Sequence, residues 1–246
     1  MSKKTKATPK REAGNASPSN VIPFNPLERN HLGASVAQAL LATKPRPLGA
    51  LATFVGAGIY AIYYVGDFAP YRLIAEANRG GKFDLPIYVG KAIPQGARMG
   101  GGNGKAGRDL QRRLREHAQS VTDAENLELD AFYCRHLVVE DIWIPLGEAL
   151  LISKFAPLWN SNLTGFGNHN PGKGRSAGKN SRWDLLHPGR AWAGALTGEQ
   201  TIIASQLAGE AENYLREFTM PTSQLVQDHP ALPDIALNFD DDETDA

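Results

Sequence analysis

Six side chains in the middle of the chain are of types that suit hydrolysis of a phosphate ester. Tyr60 lies in Gly58–Val65, GIYAIYYV, and Tyr88 lies 28 residues on, in the shorter run PIYV that Gly90 closes. Arg113 and His117 are four residues apart in the segment Arg108–Gln119; Glu148 stands among Leu146, Ala149, Leu150, Leu151 and Ile152, and Asn160 follows 12 residues later. Such chemistry needs an activated water, positive charge for the developing pentacoordinate phosphorus and help for the leaving oxygen. A phenol can take the water's proton if a neighbour assists, because an unperturbed Tyr titrates at about 10. His117 is the neighbour expected for Tyr60, and Tyr88 would orient the water or the phosphate. Arg113 offers a planar fork to phosphate oxygens. Glu148 is a hard oxygen ligand suited to one Mg²⁺. Asn160 would hold a phosphate oxygen or a water on the metal, and Lys91 is a further phosphate contact.

The elements that position these groups follow from pattern. The aromatic and β-branched runs at 58–65 and 86–89 read as strands, and Ala131–Val139 as a third, in which Phe132, Cys134 and His136 alternate with Tyr133, Arg135 and Leu137. In Arg108–Gln119, positions 110, 113, 114 and 117 form one helical stripe, so Arg113 and His117 flank a buried seam while Arg112 and Arg115 stay solvated. A second helix is expected from Pro145 to just before Pro157. A third is expected from the capping pair Thr197 and Gln200 to about Phe218. Residues 160–182 read as a long polar loop with basic Lys173, Arg175, Lys179 and Arg182.

Taken singly, each residue has a structural reading: tyrosines pack in strands, Arg113 pairs on a surface, His117 sits on a helix, Glu148 faces water near a helix start, and Asn160 makes a turn. Taken together, the ordered set resembles the GIY-YIG nuclease superfamily, whose two tripeptides stand here as Gly58-Ile59-Tyr60 and Tyr88-Val89-Gly90. The stretch GIYAIYYVGDFAPYRLI…PIYVGKAIP is similar to the branch of type II restriction endonucleases that cut CCGCGG. The resemblance runs from about Ala57 to Asn160. It implies an α/β (α+β) fold, with a small central antiparallel sheet flanked by helices, insertions and a C-terminal helical extension. The long spacing of the tripeptides fits an inserted segment, 66–85. A single domain over 23–232 is expected, with a basic arm (1–22) and an acidic tail (233–246), both disordered.

The resemblance also implies one Mg²⁺ per active site, a double-stranded DNA substrate, a homodimer or tetramer matching a palindrome, a cognate methyltransferase and a bacterial cytoplasmic setting. Candidate DNA contacts are Arg72, Lys105, Arg108, Asn168, Lys173 and Arg175. A repair or homing nuclease with the same module, or a non-catalytic DNA-binding protein, are the alternatives.

Composition agrees with a nucleic-acid partner only locally. Net charge is zero, but residues 91–120 carry seven Lys and Arg against Asp109 and Glu116, and seven acids with no base lie from Asp228 onward. The one cysteine, Cys134, reads as a buried thiol, and no apolar stretch is long enough for a membrane span. Gly56, Gly58 and Ala61 match a dinucleotide-binding spacing, but a strand follows them where a helix should open. Gly100–Lys105 lacks the flanking residues of a triphosphate loop.

Overall fold

The computed structural model describes residues 28–94, 107–172 and 177–217. Four antiparallel strands form one sheet in the order β1-β4-β2-β3: β1 (Arg46–Pro47), β2 (Gly58–Tyr64), β3 (Tyr88–Ala92) and β4 (Phe132–Val138). β2 is central and every one of its residues is buried. Helices cover both sheet faces, so its sequence runs almost continuously apolar where a half-exposed strand would alternate.

Strand parity sorts β2 into two cores. Tyr60, Ile62 and Tyr64 face the larger one, with Leu110 and Leu114 of α3 (Asp109–Asp123), Leu158 and Trp159 of α5 (Leu158–Ser161), Trp183 of α6 (Arg182–Leu186) and Leu207 of α8 (Ala204–Glu217). Ile59, Ala61 and Tyr63 face a smaller core with Ala37 and Leu40 of α1 (Arg29–Ala42) and Leu151 of α4 (Ile144–Phe155). A Cβ on Gly147 would stand 2.7 Å from Val36, so glycine there lets α1 close onto α4 one residue before Glu148. A short helix α7 (Ala191–Gly194) follows α6.

β2, β4 and the stripe of α3 lie where their patterns put them, whereas β3 runs Tyr88–Ala92, through the Gly90 expected to close it. Leu110, Leu114 and His117 are buried, Arg113 is half-buried, and Arg112 and Arg115 are exposed. Cys134 is buried, and burial pushes its thiol up to about 12. α4 begins one residue before Pro145 and stops at Ala156, which adopts a left-handed conformation ahead of Pro157.

Two expectations need correction. The last helix begins at Ala204, not at Thr197 and Gln200; the Gln200 side chain instead donates to the Gly198 carbonyl, and the expected end at Phe218 lies outside the described residues. The segment 160–182 is not simply a polar loop: Leu163 and Phe166 are wholly buried in the larger core, and Arg182 opens α6. The inserted segment 66–85 folds back as α2 (Arg72–Asn78) with short 3-10 turns. Asn78 pins its end by donating to the carbonyls of Tyr64 and Leu85 and accepting from the Leu85 amide. Residues 1–22, 233–246, Gly100–Lys105, Lys173 and Arg175 lie outside the described residues. Among the described residues no helix is long and apolar enough to cross a membrane.

Candidate active site

The site is built around the edge strand β3 and its neighbour β2. Tyr60 pairs with Gly90 across the two strands. Its ring lies over that glycine: a Cβ there would sit 2.6 Å from Tyr60 Cζ and closer still to the hydroxyl, and 3.0 Å from Tyr88 Cε1. The glycine that ends the second tripeptide is therefore a space requirement of the tyrosine that ends the first.

The Tyr60 hydroxyl meets His117 Nε2 at 2.6 Å, with both side chains buried. Burial, reinforced by Tyr88, raises Tyr60 well above 10.0, although Arg113 pulls the other way. Burial and then Arg113, with His169 and Arg190, lower His117 well below 6.5. Both groups are thus neutral at ordinary pH, and the phenol donates to the unprotonated imidazole. The imidazole lies flat against Phe166 (4.5 Å between centroids, 17° between planes), and Phe166 packs on Trp159.

Tyr88 is the more exposed phenol. Burial raises it, Arg113 opposes this, Glu148 adds to it, and hydrogen bonding with Tyr60 and Arg113 lowers it again. Arg113 is held on two sides: Nη2 donates to the Gly167 carbonyl at 2.7 Å, and Nη1 reaches Glu116 at 2.9 Å and His169 Nε2 at 2.8 Å. A Cβ on Gly167 would come within 2.6 Å of the Tyr88 hydroxyl, so this glycine admits the loop to the site.

The opposite face of β3 carries the other half. Lys91 Nζ donates to Glu148 Oε2 at 2.5 Å, and Glu148 approaches from α4. Its charge reaches both Tyr60 and Tyr88.

Asn160 differs from its expected role. Its Oδ1 accepts from the Val89 amide and its Nδ2 donates to the Val89 carbonyl, each at 2.8 Å, while the Trp159 amide donates to the Ile87 carbonyl at 3.0 Å. On a side where no strand pairs with β3 among the described residues, the carboxamide satisfies the Val89 backbone and fixes the strand that carries Tyr88 and Lys91.

The other expected DNA contacts are spread out. Arg108 is exposed just before α3, Asn168 is exposed beside the Gly167 and His169 that hold Arg113, and Arg72 pairs with Glu76 on α2. His169, the Gly167 carbonyl and Arg190 went unmarked in the sequence reading; only the glycine-rich polar run around 165–172 hints at the first two.

The donor chemistry here is that of one hard-oxygen carboxylate, Glu148, paired with Lys91. Among the described residues no group of three His, Cys, Asp or Glu gathers, which leaves Glu148 as one carboxylate with a positive group already on it. Mg²⁺ accepts one carboxylate and fills its remaining positions with water and phosphate oxygens.

A small antiparallel sheet with the tripeptide tyrosines facing the helix that carries Arg113 and His117, and with Glu148 meeting the same edge strand from α4, is the arrangement of a GIY-YIG nuclease domain. Residues 52–215 match the family model described as the Eco29kI GIY-YIG domain. The chain belongs to that family of restriction-type GIY-YIG nucleases. A search of the curated proteins finds no match.

Proposed function

We propose that the protein is a type II restriction endonuclease that hydrolyses double-stranded DNA at a short G·C-rich palindrome, CCGCGG being the first site to test. The observation that carries this reading is the buried Tyr60–His117 pair capped by Tyr88 and Arg113, with Glu148 across the same strand.

Burial distributes the roles. Burial makes a standing phenolate at Tyr60 too costly at neutral pH, and a standing imidazolium at His117 as well, so the unprotonated His117 nitrogen takes a proton only transiently, as negative charge develops on the phosphate. Tyr88 is the phenol open to solvent, so the attacking water gives up its proton there. Tyr88 passes its own proton to Tyr60, and Tyr60 passes its own to His117. The water oxygen bonds to phosphorus, the bond from phosphorus to the leaving oxygen breaks, and that oxygen takes a proton from solvent. Arg113 neutralises the non-bridging oxygens, and Lys91 adds a second positive charge from the far side of β3. Glu148 would be the residue to hold a divalent cation, which would supply Lewis-acid stabilisation of a phosphate bound there. Asn160 keeps the strand in place.

A homodimer would match a palindrome, and a cognate methyltransferase in a bacterial cytoplasm completes the system. Arg108 and Asn168, with Lys105, Lys173 and Arg175, are the base- and phosphate-contact candidates; Arg72 is a weaker one, being engaged by Glu76.

The test is digestion of a sequenced plasmid with Mg²⁺, followed by end mapping, for the protein and for Glu148→Gln. Cuts at one palindrome that Glu148→Gln slows about 10³-fold support the reading. Random nicking, no cleavage, or an unchanged rate and metal requirement in Glu148→Gln overturn it.

A further inference from the structure

Arg190 is a charged side chain buried to 2% exposure, and it lies outside the machinery described above. It follows the left-handed Gly189, which a side chain could not replace, because a Cβ there would run into the Asp123 carbonyl. Its Nε donates to Asp184 Oδ1 at 2.7 Å, and Asp184 is itself fixed by Ser181, the N-cap residue of α6. The guanidinium lies over the rings of Trp183 (4.5 Å) and Trp192 (4.8 Å). Its remaining donors converge on one stretch of backbone: Nη1 on the carbonyls of Phe166 (3.1 Å) and Asn168 (3.4 Å), and Nη2 on that of Gly165 (3.1 Å).

Those carbonyls alternate with the groups that grip Arg113. The intervening Gly167 carbonyl accepts from Arg113 Nη2, and His169 takes Nη1. Phe166, between two of the tethers, carries the His117 ring on its face. The loop 165–169 thus gives three carbonyls to Arg190 and holds Arg113 through Gly167 and His169.

We propose that Arg190 is a positioning residue for the reaction: by tying down the carbonyls of 165, 166 and 168 it presets the Arg113 fork and the His117 ring before DNA arrives. The inference rests on the nuclease reading above for its rate effects. A planar fork with several donors is needed to hold three carbonyls and a carboxylate at once; an ammonium keeps the charge but not that geometry. The requirement is therefore for arginine specifically.

The experiment uses the full chain, with Arg190→Lys and, in case that variant folds poorly, Trp192→Leu, which removes one of the two rings. Rates are scored per folded molecule against a duplex carrying the site mapped for the wild type. Single-turnover cleavage at saturating duplex should fall about 10- to 100-fold, as a displacement of about 1 Å in a positioned group costs. Duplex affinity should stay within about threefold, since no phosphate contact is removed. Nitrogen NMR of the Arg113 side chain gives a readout that a purely structural role would not move: its two Nη signals, distinct while the fork is clamped, should merge. Unchanged cleavage per folded molecule with unchanged Arg113 signals in whichever variant folds overturns the proposal, even if thermal stability drops. If the wild type cuts no DNA, the nuclease reading fails, while the Arg113 signals still decide whether Arg190 sets the fork.

Discussion

Replacing Tyr60 by Phe removes one oxygen from a site with no solvent. That oxygen meets His117 Nε2 at 2.6 Å, and His117 is 1% exposed. Two separate costs follow. The abandoned imidazole nitrogen is left buried without a partner, a loss of about 1–3 kcal/mol in folding free energy. For a domain of this size that lowers Tm by roughly 2–12 °C. The chemical cost is larger, because the relay from water to imidazole is cut in its middle: about 10²- to 10⁴-fold in single-turnover rate. The two members of the pair act as a unit, so Tyr60→Phe with His117→Gln should be about as slow as either single variant, not slower by the product. The wild-type rate should also show no inflection from this pair between 6.5 and 10.0, since Tyr60 is raised above that window and His117 lowered beneath it. Single-turnover cleavage of a mapped duplex across pH, with binding measured separately, checks all three points. A Tyr60→Phe rate within about threefold of wild type, or multiplicative losses in the double variant, would refute the relay.

Two further outcomes follow from the geometry. Gly90→Ala puts a methyl 2.6 Å from Tyr60 Cζ and 3.0 Å from Tyr88 Cε1, so both phenols must shift; cleavage should fall about 10²-fold while duplex binding persists, as titration and single-turnover rates would show. His187, bound to the Tyr71 hydroxyl and to Asn126, is lowered to about 3 by burial and then by Arg190. Its folded pKa lies below the unfolded value of 6.5, so the unfolded chain takes up the proton first and stability falls as pH drops through that window, by about 3 kcal/mol at about pH 4. Urea unfolding near neutrality and near pH 4 should show a smaller acid loss in His187→Gln, and an equal loss would place the acid sensitivity elsewhere.

The sequence was legible wherever one period governed a segment. β2 announced itself because both its faces are covered, and α3 because Leu110, Leu114 and His117 fall on one stripe. α1 was missed: its contacts are made by Ala37, Leu40 and Val36, and small residues interspersed with polar ones leave little amphipathic signal. α8 was misplaced because a capping pair at Thr197 and Gln200 looks the same whether or not a helix follows at once. In the site, residue types indicated which groups belong together, but not which way each polar atom turns. Asn160 reads as a ligand by chemistry and holds the Val89 backbone by geometry, and no local pattern marks Arg190, whose partners lie 6 to 25 residues back along the chain.

β3 is only five residues long, yet it divides the work of the site by parity alone. Tyr88 and Gly90 point to the α3 face, where Tyr60 and the imidazole are packed away from water and Tyr88 is partly exposed. Val89 packs into the core on the α4 side, and Lys91 meets Glu148 of α4. A slip of one residue in the pairing with β2 would put Val89 against Tyr60, remove the glycine that makes room for its ring, and send Lys91 to the aromatic face. An edge strand is the strand most prone to such a slip, since among the described residues no strand pairs with its outer side. Asn160 supplies a partner at Val89, and the Trp159 amide supplies one at Ile87. The register of the site is thus held from outside the sheet, and a carboxamide far from the scissile bond can matter to the chemistry without touching the substrate.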